Sequence, residues 1–118
     1  MKPYEPGFTE LTGASFSEFV RLNEFAVVHF WAAWNGHDGE MRKVLASQLA
    51  AALSKRVAFG TFDTDPPEHH EICRKHNVLG LPFLAFYRNG SFIRKTTGLL
   101  SVGALEKHLA ELVGPESC

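Results

Sequence analysis

Six consecutive residues, Ala26-Val27-Val28-His29-Phe30-Trp31, constrain this chain more than any other feature. They are apolar at nearly every position rather than at every second one. A strand of that kind is buried on both faces. It therefore belongs in the interior of a sheet that carries helices on either side. The flanking segments supply the rest of such an architecture. Phe8-Thr9-Glu10-Leu11 reads as a short first strand, and Ser15-Phe16-Ser17-Glu18 has the spacing of a capping box. The helix it opens turns Phe16, Phe19, Val20 and Leu22 inward. A second helix is predicted over residues 36–54, with Met41, Val44, Leu45, Gln48, Leu49 and Ala52 on one stripe. Residues 57–62 read as a strand, and Asp65-Pro66-Pro67-Glu68 as a second capping box with proline in the first turn. The following helix is expected to bury His69, Ile72, Cys73 and His76. Residues 83–87 and 91–95 are strands joined by Asn89-Gly90, a strong hairpin signal. Ser101 caps a last helix with Leu105, His108, Leu109 and Leu112 on its stripe. The order β-α-β-α-β-α-β-β-α predicts an α/β fold: a mixed sheet of about five strands flanked by four helices.

A chain of 118 residues fits one domain, expected to span 1–118 with a core of about 8–113 and short flexible tails. Twelve Lys and Arg against 13 Asp and Glu leave a net charge of −1. That balance excludes a general nucleic-acid binder and a polybasic membrane anchor. The longest apolar stretch, residues 25–34, is interrupted by His29 and falls short of the roughly 20 residues needed to cross a bilayer. No hydrophobic signal core opens the sequence, so a cytoplasmic location is expected. Two cysteines, Cys73 and Cys118, are too few for a disulfide scaffold or a cysteine-based zinc site. No metal or cofactor is expected, and a monomer is favoured.

Particular residues make the expectation sharper. The segment from Phe30 through Trp31-Ala32-Ala33-Trp34-Asn35-Gly36-His37-Asp38 resembles the active-site segment of thioredoxins and protein disulfide isomerases, Trp-Cys-Gly-Pro-Cys or Trp-Cys-Gly-His-Cys. Asp63 is similar to the aspartate that ends the next strand in that family. Gly80-Leu81-Pro82 resembles its cis-proline loop, Asn89-Gly90 its hairpin turn, and Gly98 the glycine after its last strand. The resemblance implies a thioredoxin fold with a cis peptide at Leu81-Pro82. It also locates a departure, because the two positions that hold the catalytic thiols in the family are Asn35 and Asp38 here. Thiol–disulfide exchange needs a thiolate nucleophile, so dithiol chemistry at this site is excluded. Two further positions agree. The family's buried acid is replaced by His29, and the lysine paired with it by Phe59.

Helix physics offers one account of the new residues. Asn35 is a strong N-cap residue, and a carboxylate at Asp38, in the first turn, complements the helix dipole for about 0.5–1 kcal/mol. The alternative is a repurposed site in which His37 and Asp38 act as acid and base or as metal ligands. His29 is expected to be a core imidazole hydrogen-bonded to backbone or water. His69 and His70 are expected at a solvated helix start, because adjacent helical side chains point about 100° apart and do not readily share one ion. Cys73 is expected to pack as a small hydrophobe, and a Cys73–Cys118 bridge is disfavoured by its place on a helix face.

Losing the thiols leaves the family's binding surface. The resemblance implies an extended peptide lying beside Trp34, Leu81, Pro82 and Gly98, with Trp31 in the core. The expected function is that of a redox-inactive thioredoxin-like protein that binds a protein or peptide, as a chaperone, adaptor or assembly factor. Two alternatives stand beside it. One is an enzyme using His37/Asp38 or a single thiol, Cys73 or Cys118. The other is a structural domain of a larger protein.

Overall fold

The computed structural model of the protein describes residues 7–114. Its elements are β1 (Phe8–Glu10), α1 (Phe16–Leu22), β2 (Phe25–Trp31), α2 (Gly36–Ser47), α3 (Leu49–Ser54), β3 (Val57–Asp63), a 3₁₀ turn (Pro67–His69), α4 (His70–Lys75), β4 (Phe83–Arg88), β5 (Ser91–Thr97) and α5 (Val102–Val113). The strands form one sheet in the order β1-β3-β2-β4-β5. β3 runs parallel to both β1 and β2, and β4 is antiparallel to β2 and β5. The two tail segments of the sequence reading fall largely outside the described residues.

All seven residues of β2 are buried, and alternation divides them between two cores. Phe25 and Val27 pack with Met41, Leu45, Leu105 and Leu109, so α2, α3 and α5 cover one face. Ala26, Val28 and Phe30 pack with Phe16, Phe62 and Phe83 beneath α1 and α4. His29 shares the register of Phe25 and Val27 and therefore points toward the α2 layer. That direction decides what the site contains. The hairpin at Asn89-Gly90 has positive φ at both residues, 52° and 83°, as a two-residue β-turn requires.

Three local expectations are corrected. The single helix over residues 36–54 is two helices, because Gln48 leaves helical geometry at φ −106° and ψ 5°. The sheet is consequently flanked by five α-helices rather than four. Neither predicted capping box forms. Ser15 is already helical, and its hydroxyl accepts the Thr12 N–H at 2.9 Å. Asp65 caps nothing, since the segment opens as a 3₁₀ turn with no side-chain cap. Ser101 does cap α5, accepting the Ala104 N–H at 3.1 Å.

Candidate functional site

β2 ends at Trp31, and the chain turns through Ala32, Ala33 and Trp34 before α2 begins. Asn35 is extended, and its Oδ1 accepts the N–H groups of His37 at 3.0 Å and Asp38 at 3.2 Å. It is the N-cap that its residue type predicts.

Asp38 has a different role from the one its position suggested. Instead of facing solvent at the helix start it is 1% exposed. Its Oδ2 accepts the Ala32 N–H at 3.0 Å, and its Oδ1 meets Nε2 of His29 at 3.0 Å. His29, also 1% exposed, thus has a side-chain carboxylate among its partners. The cause is directional. β2 aims His29 at the layer occupied by α2, and the first turn of α2 aims Asp38 back. One carboxylate ties the helix start to the central strand and to the turn between them. Burial lowers the pKa of His29 below its ordinary 6.5, outweighing the carboxylate that would raise it, and Arg42 adds to the lowering. The ring is neutral at pH 7, and Nε2–H donates to Asp38. Phe59 stacks on Phe8 at 5.6 Å, so the residue in place of the family's lysine presents an apolar wall.

A neutral buried imidazole makes stability depend on pH. The unfolded chain takes up a proton at about pH 6.5, while folded His29 resists until lower pH. Its contribution is full above pH 6.5 and is lost as pH falls below it, by at most about 1.4 kcal/mol per pH unit. His76, whose pKa burial also lowers, adds in the same direction. Urea unfolding between pH 8 and pH 5 should show a plateau and then a decline. Constant stability across that interval would contradict a neutral buried His29.

Around the turn the surface is aromatic and apolar. Trp34 is 70% exposed, yet its indole N–H donates to Asp65 Oδ1 at 2.9 Å. The predicted cap residue therefore orients the tryptophan. Trp34, Thr64, Cys73, Leu79 and Leu81 line a groove of about 250 Å³. The Leu81–Pro82 peptide is cis. Among the described residues no hydrogen bond uses the Leu81 main chain. Pro82 is buried, and its carbonyl accepts the Gly98 N–H at 2.7 Å. Gly98 has φ +100°, a conformation that favours glycine. Trp31 lies in the core.

His37 is exposed and Asp38 buried, so the two side chains do not share one surface. Among the described residues no group of three or more His, Cys, Asp or Glu is placed to hold a metal ion. His69 is not solvated. It is 7% exposed, its Nδ1–H donates to the Asp63 carbonyl at 2.6 Å, and its ring stacks on Phe62 at 4.2 Å. The 3₁₀ turn rotates His69 inward, while His70 stays exposed. Cys73 is half-buried, and burial together with the Asp63 charge pushes its thiol pKa up. Cys118 lies outside the described residues. Sequence reasoning missed the His29–Asp38 pairing, although both residues had been singled out. The available signal was that each occupies a departure from the resembled family.

Residues 7–111 match the Thioredoxin family. A thioredoxin of Alicyclobacillus acidocaldarius is 27% identical over 103 residues, covering 87% of this chain and 95% of that protein. The protein disulfide-isomerase of Saccharomyces cerevisiae is 24% identical over 87 residues, and the match spans only 16% of its length. Among solved structures, mitochondrial thioredoxin 3 of Saccharomyces cerevisiae superposes with a TM-score of 0.78 at 28% identity, covering 88% of this chain and 94% of that one.

Proposed function

The chain belongs to the thioredoxin family, and from that premise we propose that it is a redox-inactive member that works by binding an extended peptide or protein segment. The observation that carries this reading is Trp34, exposed but held by Asp65 at the rim of the Leu79–Leu81 groove. An aromatic anchor with a fixed ring loses little entropy on binding. The uncommitted Leu81 main chain offers a donor and an acceptor to an extended strand. Meanwhile Asn35 and Asp38 are engaged in capping and in a buried hydrogen bond. Neither supplies a thiolate, and the Cys73 thiol is held protonated by its surroundings. A chaperone, adaptor or assembly role is consistent with such a face.

Two measurements test this. Insulin-disulfide reduction in dithiothreitol should run no faster with the protein than without it. Trp34→Ala and Leu81→Asp should each weaken a bound extended peptide, selected from a peptide library, by about thirtyfold, the effect of removing a central hot spot. Catalysed insulin reduction, or unchanged affinity in both variants, would refute the proposal.

A further inference from the structure

A second concavity, of about 500 Å³, opens at the C-terminal ends of the parallel strands. Glu10, Trp31 and Asp63, the last residues of β1, β2 and β3, all line it. This edge of a parallel sheet is where α/β proteins leave a crevice for ligands, and the volume is that of a small-molecule site. The cavity shares no lining residue with the Trp34 groove.

Apart from the Trp31 indole N–H, its side-chain polar groups are predominantly acceptors. His69 lines the cavity at 7% exposure, and its Nδ1–H is spent on the Asp63 carbonyl. That leaves the ring's other nitrogen, Nε2, for a ligand. Asp63 uses Oδ1 to accept the Asp65 N–H at 3.0 Å, which leaves Oδ2. Glu10 adds a second carboxylate at the exposed rim. The N–H and hydroxyl of Thr12 are both turned to Ser15. Among the described residues no lysine or arginine lines the cavity, and no ion pair uses either carboxylate. Leu11, Ala33 and Pro66 complete an apolar wall. A ligand that fits must bring hydrogen-bond donors, positive charge and a short hydrocarbon body.

We propose that this cavity binds an alkylguanidinium, either as a free small molecule or as an arginine side chain of a partner protein. The planar fork of N–H donors can serve a carboxylate oxygen and an imidazole nitrogen together, which a compact ammonium does less well. The alkyl chain meets the apolar wall of Leu11, Ala33 and Pro66.

The test is an amide NMR titration of the whole chain with n-butylguanidinium, with uncharged n-butylurea as the shape control. Saturable shifts are expected at residues 10–12, 63 and 69, in the millimolar range of so small a ligand, and not at residues 79–81. Asp63→Asn, which keeps the acceptor for Asp65, should weaken binding about tenfold or more. Glu10→Gln, at an exposed position that cannot unfold the protein, should weaken it several-fold. A capped Gly-Arg-Gly peptide distinguishes the sources. Tighter binding than n-butylguanidinium identifies a side chain of a partner, and weaker binding a free small molecule. The proposal is overturned if neither cation saturates, if n-butylurea binds equally well, or if both substitutions leave the affinity unchanged.

Discussion

Asp38→Ala is expected to destabilise the protein by about 2–4 kcal/mol, several times what a surface carboxylate at a helix start contributes. The substitution strands two buried donors, the Nε2–H of His29 and the N–H of Ala32. Each unsatisfied buried donor costs about 1–3 kcal/mol. It also leaves a small void at a 1% exposed position beside Met41, which is fully buried. Dipole complementarity alone predicts a loss of only about 0.5–1 kcal/mol. Urea unfolding at pH 7 decides between the two accounts. A second comparison isolates the pair. His29→Leu and Asp38→Leu should each be costly, and the double substitution should cost less than their sum by at least about 1 kcal/mol. Additive losses, or a loss below about 1 kcal/mol for Asp38→Ala, would mean that the buried hydrogen bond does not hold the start of α2.

The fold was legible because its strongest signals are local and mutually consistent. The doubly buried β2, the Asn89-Gly90 turn and the Ser101 cap each specify one structure. The break at Gln48 was not legible. No glycine or proline stands between residues 40 and 54, and the apolar stripe runs through. Packing of Ala52 into the core shared with Val57 is a tertiary demand, invisible to a helical wheel. The capping boxes failed for a different reason. Thr12 stands three residues before Ser15, as Ser15 stands three before Glu18, so two overlapping patterns compete and the earlier one wins. Asp65 was claimed by an indole 31 residues away in the chain.

At the site, the absence of thiols from positions 35 and 38 was readable directly, because it needs only residue identity at recognised positions. The new bond between His29 and Asp38 was not. A strand apolar on both faces hides which layer its one polar residue faces, and period-2 alternation settles that only once the α2 layer is placed. The same ambiguity left His69 with two opposed expectations, on the buried stripe and at a solvated helix start, since an α-helix and a 3₁₀ turn send that residue in different directions; it is buried.

Restoring both thiols should recover only half of the family's chemistry. In the variant Asn35→Cys/Asp38→Cys, the first cysteine sits at the N-terminus of a 12-residue helix, whose dipole favours the thiolate. Attack on a substrate disulfide should therefore proceed and leave a mixed disulfide at position 35. Resolution requires the thiol at position 38 to lose its proton inside the core. There it faces His29, a poor base because burial lowers its pKa, while Phe59 in place of the family's lysine supplies no charge. Mass spectrometry should find the mixed disulfide accumulating, with slow insulin turnover. Adding His29→Asp should raise turnover by about a hundredfold, the lower range of general-base catalysis, and deplete the trapped species. Rapid turnover with His29 in place would show that the imidazole serves as the base, and that the absence of dithiol exchange at positions 35 and 38 rests on the missing thiols alone.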